Sequence, residues 1–234
     1  MKIAIMQPYF CAYIGYYQLI NFVDKFVICD NMQYTKRGWF NRNRILDNGT
    51  DRMFTIPVKK DNSNLNVNLR YLADNSVRER MRILKQIQAL YKKKAPFFSQ
   101  NYPLVRRLFI QEINNLFDFI YFSVVELCSN LDIKTQIILS SSLDIDPELK
   151  SQDRVLATCK YLKTDIYVNP IGGKKLYDKD IFKREGIELK FIKSKKIEYA
   201  QFNHEFVPWL SIIDILMFNE IEHVKNYLNE FELE

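Results

Sequence analysis

Histidine is scarce in this chain, and its cysteines do not cluster. Only His204 and His223 are histidine, and Cys11, Cys29, Cys128 and Cys159 form no C-x-x-C pair. A structural zinc site takes four ligands at short, recurring spacings, so no metal site is expected. Scattered cysteines in a chain of this size read as free thiols of a reducing compartment. Long apolar runs are also missing: the longest, Val207 to Phe218, is interrupted by Ser211 and Asp214, and a bilayer span needs roughly 20 apolar residues. The opening Met1-Lys2-Ile3-Ala4-Ile5 reaches Gln7 at once, which reads as a strand rather than a secretory leader. A cytoplasmic protein without a membrane span is the expectation.

What is present is ordinary for a globular protein: 47% apolar and 26% charged residues in a chain of 234. One domain over residues 1–234 accounts for the length, and no internal repeat or low-complexity linker divides it. Lys and Arg number 34 against 28 Asp and Glu, a net charge of +6. That excess points to an anionic partner such as a nucleotide, a nucleotide-linked sugar or RNA. A lysine-rich solvated surface accounts for it equally well.

Strand and helix signals alternate at the start. Ile3–Met6 is a short buried strand, Ile14–Phe22 has helical spacing, and Lys25–Asp30 is a second strand. Phe54–Val58 reads as a third, near an edge or a strand end because of Pro57. Strand, helix and strand within about 30 residues form a βαβ unit and argue for a parallel sheet. The middle is helical: Ser76–Lys94 carries a stripe at Met81, Leu84, Ile87 and Leu90 or Tyr91, ended by Ala95-Pro96. Tyr102–Cys128 adds helix, with an interruption predicted near Phe117-Asp118. Then follow an apolar run at Ile137–Leu139, a helix capped by Ser151 or Asp153 through Leu162, and a strand at Asp165–Asn169. A short helix at Asp178–Arg184, a strand at Ile187–Ile192 and helices after Pro208 complete the chain. The fold class is therefore α/β, a mostly parallel Rossmann-like sheet with a helical insertion at about residues 74–132.

Chemistry concentrates where strands end, because ligands of open α/β sheets sit outside the carboxyl ends of strands. Gln7-Pro8-Tyr9-Phe10 follows the first strand. Gly15 and Tyr16 open the next helix, whose N-terminal N–H groups favour an anion. The second strand runs out through Asp30 into Gln33 and Tyr34, then Lys36, Arg37, Trp39, Asn41, Arg42, Asn43 and Arg44. Arginine suits bidentate contacts to phosphate, amides suit sugar or base edges, and Trp or Tyr suits stacking. Ser140 and Ser141 follow a strand and suit phosphate hydrogen bonds, but no G-x-S-x-G elbow makes either a nucleophile. Gly172-Gly173-Lys174-Lys175 could cradle an anion, although it lacks the spacing of a P-loop.

These stretches carry a family resemblance. The run Met1–Phe10, Tyr13-Ile14-Gly15-Tyr16, Val23–Val27, Lys36-Arg37-Gly38-Trp39 and Asn41-Arg42-Asn43-Arg44 resembles the opening of the WbqC-like family. The likeness resumes at Ser140-Ser141 and Thr158-Cys159-Lys160. It continues through Gly172, Tyr177, Gly186-Ile187, Tyr199 and Gln201, and ends at Pro208–Asp214. Members often have proline near position 12, where this chain has Cys11-Ala12. The family is linked to O-antigen and other surface glycans, and a glycine transferase acting on a sugar has been suggested for it. The order of strand, proline and a helix opening x-x-Gly-x is also similar to HIGH-type nucleotidylyl transferases. Tyr13-Ile14-Gly15-Tyr16 lacks both imidazoles of that motif, which argues against adenylyl transfer by that route but not against a nucleotide pocket.

The reading that follows is a transferase that adds an aminoacyl (glycyl) or other acyl group to the amine of a nucleotide-linked amino sugar. Lys36, Arg37, Arg42 and Arg44 would hold the pyrophosphate, and Trp39 or Tyr34 would stack. Gln7, Asp30, Asn41 and Asn43 would fix hydroxyls or the amine. Gly172 and Tyr177 join the binding set through the resemblance. Acid–base candidates are Asp30, His204 and Asp214, with a structural ion pair as the alternative for Asp214. No tightly bound cofactor is expected, the acyl donor is unidentified, and a homodimer is compatible with the sequence. The competing class is a non-catalytic protein that recognises a nucleotide sugar or RNA.

Overall fold

The computed structural model describes residues 1–202 and 205–234, so His204 lies outside the described residues. Elements follow in the order β1 (Lys2–Met6), α1 (Ile14–Phe22), β2 (Lys25–Ile28), β3 (Arg42–Asp47), β4 (Thr50–Thr55), α2 (Ser76–Tyr91), α3 (Phe98–Ile110) and α4 (Leu116–Asn130). After these come β5 (Gln136–Leu139), α5 (Ser151–Tyr161), β6 (Ile166–Pro170), α6 (Lys179–Arg184), β7 (Glu188–Ser194), α7 (Ile212–Phe218), α8 (Ile221–Tyr227) and β8 (Phe231–Leu233). Six strands form one sheet in the order β5-β2-β1-β6-β7-β8. Neighbours from β5 to β7 are parallel, and β8 closes the far edge antiparallel to β7. This is the α/β, mostly parallel architecture expected from the sequence.

The side-chain period of two sorts residues onto the two faces. Along β1, Ile3 belongs to one buried cluster and Ala4 to the other. Tyr167 and Val168 divide in the same way on β6, as do Phe191 and Ile192 on β7. Helices α5 and α6 cover the Ile3–Tyr167–Phe191 face, where Phe182 stacks on Tyr167 at 5.5 Å. On the opposite face lie α1, α7 and the helices between β4 and β5. Burying one such large apolar side chain contributes roughly 1.5–3 kcal/mol. Phe10 ties the loop after β1 into this second core, with its ring 4.9 Å from Phe119 and 5.2 Å from Phe109.

Two local expectations are corrected. The strand read at Phe54–Val58 is not in the parallel sheet: β4 ends at Thr55 and pairs antiparallel with β3. The cause is Asn48-Gly49, which places both central residues of a two-residue turn at positive φ (48° and 81°). That is the combination a type I′ hairpin requires. The break in the Tyr102–Cys128 helical region falls at residues 111–115 rather than at Phe117-Asp118. Asn115 caps α4 by accepting from the Asp118 N–H at 3.1 Å, so Asp118 sits in the first turn of a helix instead of between two.

Strand order reverses between β1 and β6. From β1 the chain builds outward through β2 to β5, then returns to β1's other side for β6 and β7. Loops leaving β1 and β6 therefore part in opposite directions. The crevice this leaves at the strands' carboxyl ends is where open α/β folds take ligands.

Candidate functional site

A cavity of about 540 Å³ opens over the carboxyl ends of β1, β2, β5 and β6. Met6 and Gln7 come from β1, Cys29 and Asn31 from β2, and Ser140 from β5. The far wall is α5, with Arg154 and Thr158, and the turn after β6, with Gly172 and Gly173. Size and composition fit a largely apolar ligand pocket with a few convergent polar groups.

Arg154 is the cation in this wall. It is half-buried and donates from Nη2 to Asn31 Oδ1 at 2.7 Å. The same Asn31 oxygen lies 2.6 Å from Ser140 Oγ, which is 2.9 Å from Asp30 Oδ1. One hydroxyl proton serves only one of those two oxygens at a time. Asp30 also accepts from the Ser141 N–H at 2.8 Å, which fixes the turn at residues 140–142. Arg154 is thus held by a neutral amide, and its charge faces the crevice. In the same wall, a Cβ on Gly172 would meet nothing within 4 Å, so this backbone is open to a ligand. Gly173 is needed for another reason: a Cβ there would stand 2.0 Å from Asn169 Oδ1. Burial pushes the Cys29 thiol up to about 11, although Arg154 acts to lower it. It is a protonated wall atom at neutral pH rather than a nucleophile.

A second cavity of about 340 Å³ lies across the same two strand ends and shares Met6 and Pro170 with the first. Tyr9, Tyr13, Tyr16 and Trp209 give it aromatic walls, and Gly15 and Gln18 come from α1. Trp209 is 56% exposed and holds a backbone φ of 61°, a left-handed conformation that costs a bulky residue energy. Its carbonyl accepts from Arg44 Nη2 at 3.2 Å, and its ring lies 5.1 Å from Tyr13. At the rim, Trp39 packs 5.9 Å from Tyr9, with the Arg42 and Arg44 guanidinium groups 5.3 and 5.7 Å from its ring. Burial also raises the Tyr9 phenol well above its ordinary value, against the pull of Arg44 and Arg42.

The residues singled out from the sequence divide accordingly. Gln7, Ser140, Gly172 and Tyr177 line the larger cavity, and Tyr9, Gly15 and Tyr16 line the smaller. Pro8 is buried in the connecting turn. Trp39, Arg42 and Arg44 stand at the rim, where Arg42 also donates to the Arg37 carbonyl. Lys36 and Arg37 are exposed and line neither cavity. Gln33 donates to the Ser63 carbonyl at 3.0 Å.

Several of the polar residues are spent inside the fold. Asn41 is buried, donating to the Ile56 carbonyl at 2.6 Å and accepting from the Tyr34 hydroxyl at 3.0 Å. Asn43 is fully buried and bonds the carbonyls of Phe10 and Cys11 at 3.2 and 2.5 Å. Asp30 lies behind Ser140 and Ser141. Asp214 is buried among Tyr91, Tyr199 and Gln201, away from both cavities. Its partners are tyrosines and an amide rather than the arginine expected for an ion pair.

Sequence reading passed over Arg154, Asn31, Gln18 and Trp209. Arg154 had a signal, because an arginine in the first turn of a helix opposes the helix dipole and so marks a place where something other than helix stability is served. Asn31 had the signal of an amide beside Asp30 at a strand end, whereas Gln18 carried none, since its partners are the Tyr227 and Glu230 carbonyls of the C-terminal segment.

The WbqC-like protein family model matches residues 7–226. The uncharacterized protein Rv1507c of Mycobacterium tuberculosis (strain ATCC 25618 / H37Rv) is 27% identical over 229 residues, covering 97% of each chain. No solved structure matches the chain. Among the described residues, no helix is long and apolar enough to cross a membrane, and no group of three or more His, Cys, Asp or Glu could hold a metal ion.

Proposed function

This chain belongs to the WbqC-like protein family, and from that premise we propose that it is a transferase of surface-glycan biosynthesis. It adds an aminoacyl (glycyl) or other acyl group to the amine of a nucleotide-linked amino sugar. One observation carries this reading: two neighbouring cavities share the wall residues Met6 and Pro170, on the adjacent strands where the sheet order reverses. A group transfer needs its reactants side by side, and holding them so removes much of the entropic cost of their encounter.

In the larger cavity Arg154 and the open backbone at Gly172 suit the pyrophosphate, and Gln7 and Asn31 suit hydroxyl or base edges. In the transfer, the neutral amine nitrogen attacks the acyl carbonyl carbon. A C–N bond forms, the bond from that carbon to the donor's leaving group breaks, and the nitrogen's proton leaves with that group. An activated donor such as a thioester, ester or acyl phosphate balances this step without an oxidant.

A second reading, a nucleotide-sugar binding protein without catalysis, is favoured by the state of the carboxylates. Asp30 and Asp214 are both committed to internal hydrogen bonds. Mass spectrometry separates the two. Incubation with a UDP- or dTDP-linked amino sugar and a panel of aminoacyl and acyl donors should yield an N-acylated sugar nucleotide. Saturable binding with no product from any donor would leave only the binding reading.

A further inference from the structure

We infer that the smaller cavity is a monosaccharide subsite, whose buried end accepts an N–H or O–H of the sugar at Gln18 Oε1. The inference deepens the preceding reading and rests on it only for the link to a nucleotide. Gln18 is completely buried. Its Nε2 donates to the carbonyls of Tyr227 at 2.7 Å and Glu230 at 3.0 Å. Exchanging the amide's oxygen and nitrogen would set an oxygen against two carbonyls, so the orientation is fixed. Oε1 then has no partner among the described residues, although Gln18 lines the cavity. A buried acceptor left without a donor is costly, and a ligand that supplies the donor removes that cost.

The surroundings narrow the ligand class. Tyr9, Tyr13, Tyr16 and Trp209 contribute aromatic walls, and among the described residues no acidic side chain lines the space. The apolar face of a pyranose packs on such rings while its polar edge seeks hydrogen bonds. At about 340 Å³ the cavity is at the small end of the range for ligand pockets, suited to one ring rather than a nucleotide. The two cavities have Met6 and Pro170 as common wall residues, so a sugar seated here would lie next to a diphosphate seated there.

Gly15 provides the test. It is the second residue of α1, and a Cβ added to it would lie 3.3 Å from the Tyr13 ring and 3.8 Å from Gln18 Oε1. Gly15→Ala therefore puts a methyl in contact with both the Tyr13 ring and the acceptor, with only a small shift of Tyr13. Alanine favours the helix over glycine, so the variant should fold. Glucosamine, galactosamine and, as the N-acylated counterpart, N-acetylglucosamine are titrated into wild type and Gly15→Ala while tryptophan fluorescence is followed. UDP is titrated into both by calorimetry. A saturable response to at least one sugar is expected in wild type, weakened at least tenfold in Gly15→Ala, with UDP affinity within twofold. Absence of a saturable response to every sugar in wild type, or an unchanged response in Gly15→Ala, would overturn the subsite. Sugar binding without UDP binding would instead sink the nucleotide reading and leave the subsite standing.

Discussion

Arg154 donates to Asn31 Oδ1 at 2.7 Å, joining the first turn of α5 to the loop after β2 across the larger cavity. Among the described residues Arg154 has a neutral amide and no carboxylate as its side-chain partner, so no internal ion pair competes with an entering anion. Anionic ligands gain most from such a residue, because charge-assisted hydrogen bonds are about twice as strong as neutral ones. The cation expected from sequence in Lys36–Arg44 and the cation observed in the cavity are therefore different residues with the same chemistry.

Asn43→Ala should unfold the site before it weakens binding. The Asn43 amide holds the carbonyls of Phe10 and Cys11, and Cys11 itself sits at a φ of 46°. Among the described residues, loss of the amide leaves the Phe10 carbonyl without a partner and the Cys11 carbonyl with the Ser211 hydroxyl alone. A cost on the order of 1–3 kcal/mol is expected, read as a lower Tm. UDP affinity of the folded fraction should be retained. A variant with wild-type Tm and lost affinity would make Asn43 a ligand contact.

Asp214 should make stability depend on pH. Burial raises its carboxyl from 3.8 to about 6, although Tyr199, Tyr91 and Gln201 donate to it and act in the opposite direction. A carboxyl raised by folding holds its proton more tightly in the native state. Stability is therefore fullest below about 4 and falls as pH rises toward and past 6, by on the order of 3 kcal/mol from this group. Urea denaturation from pH 4 to 7.5 on wild type and Asp214→Asn should show a steeper decline in the wild type. Parallel curves for the two proteins would rule out the shift. The slope is the informative quantity: the Leu46 N–H donates to the Tyr91 hydroxyl, which must then donate to residue 214, so an amide there changes the overall level as well.

Cys29 should be a slow thiol that a ligand slows further. With its pKa near 11, little thiolate exists at pH 7.5. Iodoacetamide labelling followed by mass spectrometry should find Cys29 modified far more slowly than a free thiol, and more slowly again with UDP in the larger cavity. Rapid labelling without UDP would contradict the raised thiol, and labelling indifferent to UDP would show that the nucleotide does not rest against β2.

The sheet was legible because its strands are short apolar runs between recognisable helices, as Ile3–Met6 and Lys25–Ile28 illustrate. The hairpin was missed although Asn48-Gly49 announced it, because Arg42, Asn43 and Arg44 look like a polar loop when read only for charge. They alternate on β3, with Asn43 inward and its arginine neighbours half-exposed. That period of two was the available signal. Arg154 and Gln18 illustrate the limit of such reading: what surrounds them is set by the passage from β5 through α5 to β6 and by the return of the C-terminal segment under α1, relations between residues far apart in the chain.

Calorimetric titration of a UDP-linked amino sugar into wild type and Arg154→Ala tests the central claim most directly. Among the described residues the Arg154 side chain makes one hydrogen bond to the fold, so the variant's Tm should stay within a few degrees of wild type. Its affinity should fall roughly tenfold to a hundredfold, the equivalent of about 1.5–3 kcal/mol for a hydrogen bond to a charged group. Equal affinity in the two proteins, or no binding to folded wild type, would contradict the assignment of this crevice to a nucleotide-linked sugar.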